Sequence, residues 1–326
     1  MTRNAFLAAL LLASALLARA SEPRAFTYSI VARDPATGEM GVAVQSHWFS
    51  VGSVVPWAEA GVGAVATQSF VDPSYGPLGL ALMRAGKTAP EALKALLAGD
   101  GQEAVRQVAM VDARGNVAAH TGTKCIAAAG HETGEQFSVQ ANLMENPSVW
   151  PAMARAFREA KGDLADRMVA ALEAAEGAGG DIRGRQSAAI VVVKGTSTGR
   201  PWADTVFNLR VEDSPRPLEE LRRLMRLQRA YTHASQGDDL AAAGKLKAAL
   251  AEYAEAARLA PEVLELPYWQ AVTLAGSGHL EEALPIFRRV FEAEPRWAEL
   301  TPRLPAAGLL PDDRDLMRRI LEQASP

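Results

Sequence analysis

The chain has 326 residues, of which 48% are apolar and 22% charged, with a net charge of -4. These proportions are typical of a globular protein and leave no large disordered or membrane-spanning share. The 34 basic residues do not exceed the 38 acidic ones, and no basic run occurs, so we expect no nucleic-acid partner.

Residues 1–20 have the pattern of a secretory signal peptide. Arg3 precedes an apolar run over residues 5–17, and residues 18–20 (Ala-Arg-Ala) form an A-x-A cleavage site. The run is short for a helix that crosses a bilayer. We therefore expect cleavage before Ser21, a periplasmic or secreted protein, and no membrane span after signal cleavage. Retention of the segment as a membrane anchor is the alternative.

The next part of the chain alternates groups of strands with pairs of helices. Helices are predicted near residues 78–85 and 90–97, after Asn146-Pro147, and after a cap at Asp163. This order favours an α+β sandwich with the sheets inside and the helices outside. The predicted strands are residues 27–32, 41–46, 61–67, 107–112, 117–121, 136–143, 187–193 and 205–211.

After Pro215 the strand signal ends, which predicts one domain over residues 26–213 and an all-α module over residues 215–326. The module contains a repeat with a period of 34 residues, which is typical of tetratricopeptide (TPR) repeats. We predict repeat helices at 246–259 and 280–291, flanked by helices near 218–234 and 313–323, and we expect a surface for a protein partner. The repeated residues are Gly244, Leu246, Ala249, Leu250, Tyr253 and Pro261, matched by Gly278, Leu280, Ala283, Leu284, Phe287 and Pro295.

Three short motifs resemble known sites but lack the required context. Residues 195–199 match G-x-S-x-G, yet no helix follows as a nucleophile elbow needs, so we interpret them as a polar hairpin turn. Residues 86–88 (Gly-Lys-Thr) lack the first glycine of a phosphate loop. His131-Glu132 has no second histidine at metal-binding spacing. The sequence therefore indicates no metal and no cofactor.

The hairpin formed by residues 27–34 and 41–47 resembles the opening of N-terminal-nucleophile (Ntn) hydrolases, in which a Thr, Ser or Cys begins the first strand. Over residues 26–213 the chain resembles more closely the bacterial family catalogued as domain of unknown function 1028. This resemblance implies an Ntn-hydrolase-like αββα sandwich. It rests on residues 27–34, 44–46, 53–57, 61–68, 75–77, 120–122 and 179–189.

The resemblance implies that Thr27 is the nucleophile of an amidohydrolase. In such enzymes the hydroxyl attacks an amide carbonyl while the free α-amino group of the same residue accepts the proton. Signal cleavage before Ser21 leaves residues 21–26 attached to Thr27. Either a second cleavage frees Thr27, or the domain keeps the fold without this mechanism.

Further site residues follow from their places near Thr27. We expect Ser46 and His47 to line the site, and Gln140 and Asn142 to donate hydrogen bonds to an oxyanion. Gln45 stands where proteasome-type relatives carry an acidic residue. Asp181, Arg183 and Gln186 are expected to orient substrate, and Ser29 and Gln45 to contact it. His120 is a secondary candidate for a base.

Less specific interpretations of these residues stay open. Thr27 and Ser29 also suit an ordinary strand, His47 a surface position, and Asp181 with Arg183 an ion pair within their loop. At the level of function, the first hypothesis is a secreted or periplasmic hydrolase of a small amide or peptide-like substrate. The alternative is a non-catalytic cell-envelope binding protein that recruits a protein partner through its repeats.

Overall fold

A computed structural model describes residues 24–25 and 27–324 of the chain. The proposed signal peptide at residues 1–20 lies outside the described residues. The chain divides into two compact units, of which the first ends at Arg222 and the second begins at Arg223. Among the described residues, no helix is long and apolar enough to cross a membrane.

The first unit contains two antiparallel sheets. In the first sheet the order is β1-β5-β6-β7, with β4 also paired to β5, and in the second it is β11-β10-β3-β2-β9-β8. The strands are β1 (Arg24–Ala25), β2 (Thr27–Arg33), β3 (Met40–Ser46), β4 (Pro56–Glu59), β5 (Gly63–Phe70), β6 (Arg106–Asp112), β7 (Val117–Thr121), β8 (Gly130–Gly134), β9 (Phe137–Ala141), β10 (Ser187–Val193) and β11 (Thr205–Val211).

The two sheets face each other, and helices cover their outer faces. Strands β2 and β3 contact β5, and β6 contacts β9, which places the sheets face to face. The first helix pair packs on β5, β6 and β7, and the second on β2, β3, β8 and β9. The unit is therefore a four-layer αββα sandwich, as the order of predicted elements indicated. Its helices are α1 (Tyr75–Arg84), α2 (Ala89–Gly99), α3 (Val149–Glu159), α4 (Leu164–Gly177) and the short α5 (Pro201–Asp204).

The ends of these helices follow local sequence signals. Thr88 accepts a hydrogen bond from the backbone N–H of Glu91, whose carboxylate accepts one from the N–H of Thr88, so α2 begins with the capping box that the sequence predicts. The side chain of Asp163 caps α4 as expected. Helix α3 begins at Val149 instead of directly after Asn146, because the side chain of Asn146 forms a turn with the N–H of Ser148.

Three strands were not predicted from the sequence: the two-residue β1, β4 and β8. Strand β4 begins with Pro56, whose missing N–H suits the first position of a strand. Strand β8 contains two glycines and two charged or titratable residues and is only partly buried. The predicted strand over residues 136–143 is the shorter β9, because Gln136 and Leu143 both have positive φ and end the extended backbone.

The second unit consists of helices, beginning with the later part of α6. Helices α7 and α9 begin and end 34 residues apart, as the repeat predicts, and Gly244 and Gly278 before them share a left-handed conformation. Ala249, Ala283 and Phe287 are buried without exposed surface. Helix α8 was not predicted. The helices are α6 (Pro217–Ala242), α7 (Leu246–Leu259), α8 (Glu265–Gly276), α9 (Leu280–Ala293), α10 (Arg296–Leu300) and α11 (Arg314–Leu321).

Candidate active site

The space between the two sheets is apolar in one half and polar in the other. Because side chains alternate across a strand, every second residue of β2, β3, β5, β6 and β9 points into this space. The apolar half includes Val31, Val42, Val44, Ala64, Ala66, Ala109 and Val111. The other half, which we call the inter-sheet polar cluster, contains the fully buried residues Thr27, Ser29, Ser46, Gln68, Gln107, Ser138, Gln140 and Asn142.

Thr27 lies at the start of β2, the strand that pairs with both β3 and β9 in the second sheet. Its hydroxyl donates a hydrogen bond to Ser46 Oγ at 3.1 Å. Its backbone oxygen accepts from Asn142 N at 3.1 Å, Gln68 Nε2 at 3.1 Å and Asn142 Nδ2 at 3.4 Å. The residue is held by several directional contacts and has no exposed surface.

The strand before Thr27 belongs to the opposite sheet. Ala25 pairs with Ser69 and Arg24 with Phe70, both on β5. The backbone therefore passes from the first sheet to the second between β1 and β2. This crossing places Thr27 at the junction of the sheets, with peptide-bonded residues on both sides.

Gln107 is the residue that connects most of the cluster. Its Oε1 accepts hydrogen bonds from Gln68 Nε2 at 2.7 Å and from Asn142 Nδ2 at 2.8 Å. Its Nε2 donates to the backbone oxygens of Ala141 at 2.9 Å and Gly130 at 3.2 Å. Backbone oxygens only accept, so these contacts fix which end of the Gln107 amide carries the N–H groups.

A second branch runs from Gln107 to the surface. Gln107 Nε2 donates to Thr121 Oγ1 at 2.9 Å, and Thr121 Oγ1 lies 2.8 Å from His131 Nδ1. With its oxygen accepting from Gln107, the hydroxyl of Thr121 has its own hydrogen available for His131 Nδ1, and we assign the bond this direction. Burial, followed by the nearby charge of His120, lowers the pKa of His131 below 6.5, which favours the neutral ring that accepts this bond.

The remaining cluster residues form a directional chain. Ser138 Oγ donates to Gln140 Oε1 at 3.0 Å, and Gln140 Nε2 donates to Ser29 Oγ at 2.6 Å. Ser29 Oγ donates to Gln68 Oε1 at 2.7 Å. In this arrangement Asn142 Nδ2 donates to Gln107 Oε1 and to the carbonyl oxygen of Thr27, and Gln140 Nε2 donates one of its two N–H groups to Ser29.

The geometry thus joins five of the sequence-predicted site residues in one cluster: Thr27, Ser29, Ser46, Gln140 and Asn142. A scan against protein-family models gives a match to a family of unknown function, DUF1028, over residues 27–221. The chain belongs to this family.

A solved structure supports the same family. The chain is 33% identical to a protein from Silicibacter pomeroyi whose crystal structure carries the DUF1028 designation. The likeness covers 61% of this chain and 84% of that protein, with a TM-score of 0.56. A search of curated proteins gave no match. All predicted site residues of this DUF1028 chain lie within the matched range.

Gln45 is not in the cluster, because it follows Val44 and therefore points to the opposite face of the sheet. Its Nε2 donates to Glu176 Oε2 at 2.7 Å, and the hydroxyl of Tyr28 donates to the same oxygen at 2.5 Å. Arg185 pairs with the other oxygen of Glu176. Burial and then Glu176 raise the pKa of Tyr28, which keeps its hydroxyl a donor.

Four predicted site residues lie in the loops next to the ends of β3 and β10 and bond to groups in or near these loops: His47, Asp181, Arg183 and Gln186. Asp181 accepts from Arg183 Nε at 3.0 Å and NH2 at 2.7 Å, and also from the N–H of His47 at 3.3 Å. His47 Nδ1 lies 3.4 Å from the oxygen of Arg185. Gln186 bonds to Asp213. These contacts lie within the loops and do not involve Thr27.

His120 lies on β7 and points away from the cluster, since Thr121 beside it points inward. Its Nε2 lies 2.9 Å from the backbone oxygen of Glu103 and 3.3 Å from the carboxylate of the same residue. These contacts link His120, on the edge strand of the first sheet, to Glu103 and are typical of a histidine with a structural role. Among the described residues, no hydrogen bond joins His120 to Thr27.

The G-x-S-x-G segment forms the turn between β10 and α5. Ser197 Oγ donates to Asp204 Oδ2 at 3.0 Å, and Thr198 Oγ1 donates to Asp204 Oδ1 at 2.7 Å. The hydrogen bonds from Thr198, with Ser197 contributing, lower the pKa of Asp204. Ser197 thus stabilises a loop and is not presented as a nucleophile.

Gln68 and Gln107 were not among the predicted site residues. Each stands at an inward position of a strand otherwise rich in alanine and valine, which is the one sequence signal that singles them out. Such a glutamine needs partners on the facing sheet, and these partners are distant in sequence. Among the described residues, no group of three His, Cys, Asp or Glu side chains is placed to bind a metal.

Proposed function

We propose that the first unit is an amide hydrolase of the N-terminal-nucleophile type, in which cleavage of the Phe26–Thr27 bond frees Thr27. The observation that carries this proposal is the position of Thr27 at the head of β2, with its hydroxyl on Ser46 and its carbonyl bound by three N–H groups. These contacts hold a nucleophile in one orientation before substrate binds.

The composition of the inter-sheet polar cluster supports the same chemistry. Its members are Thr, Ser, Gln and Asn, so no side chain of the cluster can act as a charged base. A freed α-amino group on Thr27, with an ordinary pKa near 8, supplies the base that these side chains lack. The αββα layers and the match that begins at Thr27 agree with this interpretation.

The proposed reaction has two steps. Thr27 Oγ1 attacks the carbonyl carbon of an amide, its proton passes to the α-amino group, and the C–N bond breaks as the leaving amine takes that proton. Water then attacks the resulting ester, its proton passes to the α-amino group and on to Thr27 Oγ1, and the acid product leaves. The expected substrate is a small amide or peptide-like molecule in the periplasm or outside the cell.

The test compares amide turnover by the full exported chain and by two variants of Thr27. Thr27→Val keeps the shape of the side chain without its hydroxyl, whereas Thr27→Ser keeps the hydroxyl. We expect Thr27→Val to lose turnover by about 10³-fold or more and Thr27→Ser to retain part of it. Full turnover by Thr27→Val would rule out this nucleophile.

A second, non-catalytic function is favoured by the burial of Thr27. In the chain in which β1 precedes Thr27, this residue has no exposed surface for a substrate to reach. In that form the first unit is a scaffold, and the second unit is a TPR-like module that recruits a protein partner at the cell envelope. The equal 34-residue spacing of α7 and α9 supports such a module. Pull-down with residues 215–326 from envelope extracts tests it, and a module that captures nothing and unfolds alone would count against it.

A further inference from the structure

The side-chain oxygen of Asn142 is an acceptor without a partner. Asn142 has no exposed surface, and its Oδ1 forms no hydrogen bond in the structure. The nitrogen of the same amide is engaged twice, by Gln107 Oε1 at 2.8 Å and by the carbonyl oxygen of Thr27 at 3.4 Å. A buried acceptor that stays unpaired destabilises the fold, so its presence at this place needs a reason.

The orientation of Asn142 follows from its neighbour Gln107. The two N–H groups of Gln107 face three acceptors, the carbonyl oxygens of Ala141 and Gly130 and the hydroxyl of Thr121, which leaves its oxygen facing Asn142. Turning the Asn142 amide over would bring two pairs of acceptors together, with Gln107 Oε1 and with the carbonyl of Thr27. The free oxygen of Asn142 is therefore a fixed property of this cluster.

We infer that Gln107 is a positioning residue that presents Asn142 Oδ1 as the acceptor for an N–H donor at the Thr27 site. This inference rests on the proposed function of Thr27. Two groups at that site carry such a donor: the freed α-amino group of Thr27 and the amide nitrogen of a substrate. Either one pairs the buried oxygen and is thereby held next to the nucleophile.

This role reverses the sequence-based expectation for Asn142. The amide of Gln68 also contacts Thr27, and it donates to the carbonyl oxygen of Thr27 at 3.1 Å. Asn142 Oδ1 is the amide oxygen of the cluster that accepts no hydrogen bond, whereas the oxygens of Gln68, Gln107 and Gln140 each accept at least one. The cluster thus selects a ligand group that donates from nitrogen over an ester or ketone of the same shape.

The first arm of the test concerns the amino group of Thr27. In the full exported chain labelled with ¹⁵N, the α-amino group is titrated in wild type and in Asn142→Leu, which has a similar size but no acceptor. If this amine is the donor, loss of the acceptor lowers its pKa, because a hydrogen bond to the charged form is removed. A tenfold change in the protonation constant is the expected scale.

The second arm concerns the substrate nitrogen. Binding of acetamide is compared with binding of acetone, which has the same shape but no N–H group, by NMR titration of the same two proteins. If substrate supplies the donor, wild type binds acetamide about tenfold more tightly than acetone, and Asn142→Leu loses the difference. Either response supports the inference and identifies the source of the donor, whereas the absence of both overturns it.

Neither arm depends on turnover. If one of the two responses is observed but the protein hydrolyses no amide, the acceptor role of Asn142 is supported and the hydrolase proposal is rejected. If Asn142→Leu fails to fold, Asn142→Asp is the second variant to measure. One oxygen of its carboxyl group takes the place of Asn142 Nδ2 and faces two acceptors, Gln107 Oε1 and the carbonyl oxygen of Thr27, so the group must stay protonated. The free energy of unfolding of this variant should fall toward neutral pH relative to wild type, and a difference that does not depend on pH overturns the orientation.

Discussion

Thr27 and Ser46 are direct partners across the central hairpin, and the hydroxyl of Thr27 donates to that of Ser46 at 3.1 Å. Ser46→Ala removes this acceptor. We expect a loss of about 1 kcal/mol in the free energy of unfolding and a several-fold fall in turnover, because Thr27 Oγ1 loses its fixed direction. Urea unfolding and kinetics check both, with the exposed Ser53→Ala as a control. Unchanged turnover in Ser46→Ala would show that Ser46 does not orient the nucleophile.

Gln107 connects both sheets, so its removal should lower the free energy of unfolding by more than the loss of one hydrogen bond would. Gln107→Leu removes one hydrogen-bond partner from each of the amides of Gln68 and Asn142 and from two backbone carbonyls. We expect a loss of about 3 kcal/mol or more in urea unfolding. The half-buried Gln102→Leu serves as the matched control and should change stability by less than about 1 kcal/mol. Similar losses in the two variants would mean that the cluster adds little stability.

His131 gives the first unit a dependence on pH. Its pKa is lower in the folded chain than the ordinary 6.5, so the unfolded chain binds more protons between these two values. Stability from this group is complete above pH 6.5 and is lost as the pH falls through the folded pKa. The imidazole should titrate below 6.5 by NMR. Thr121→Val should raise its pKa, because Thr121 no longer donates to the neutral ring, and an unchanged titration would contradict the assigned direction of that bond.

Gly41 lies where β3 and β10 pair, and a Cβ there would stand 2.4 Å from the backbone oxygen of Val191. Gly41→Ala should therefore force β3 and β10 apart and lower the free energy of unfolding by about 1–3 kcal/mol. Gly99→Ala is the control, since a Cβ there meets nothing within 4 Å. Equal effects in thermal unfolding of the two variants would contradict the close packing of β3 on β10.

The sequence predicts the fold well because most of its signals are local. A continuous apolar run marks β10 and a mixed apolar and polar run marks β11, both with their observed ends, and the Thr88 capping box and Asp163 mark two helix starts. Strand β8 was missed because an exposed edge strand needs no apolar alternation.

The site was harder to predict because its contacts join residues far apart in sequence. Thr27, Ser46 and Asn142 could be placed near one another from the hairpin pattern and the family resemblance. Gln45 was misplaced because one step along a strand changes the face. The roles of Gln68 and Gln107 depend on how the second sheet lies over the first, which no local pattern encodes.

The proposal depends most directly on whether Thr27 becomes an N-terminus. The measurement is the intact mass and N-terminal residue of the full protein recovered after export, made in parallel for Thr27→Val. We expect wild type to begin at Thr27, so that its α-amino group is free to act as the base. A stable wild-type start at Ser21, with residues 21–26 still attached, would contradict the hydrolase and favour the binding function.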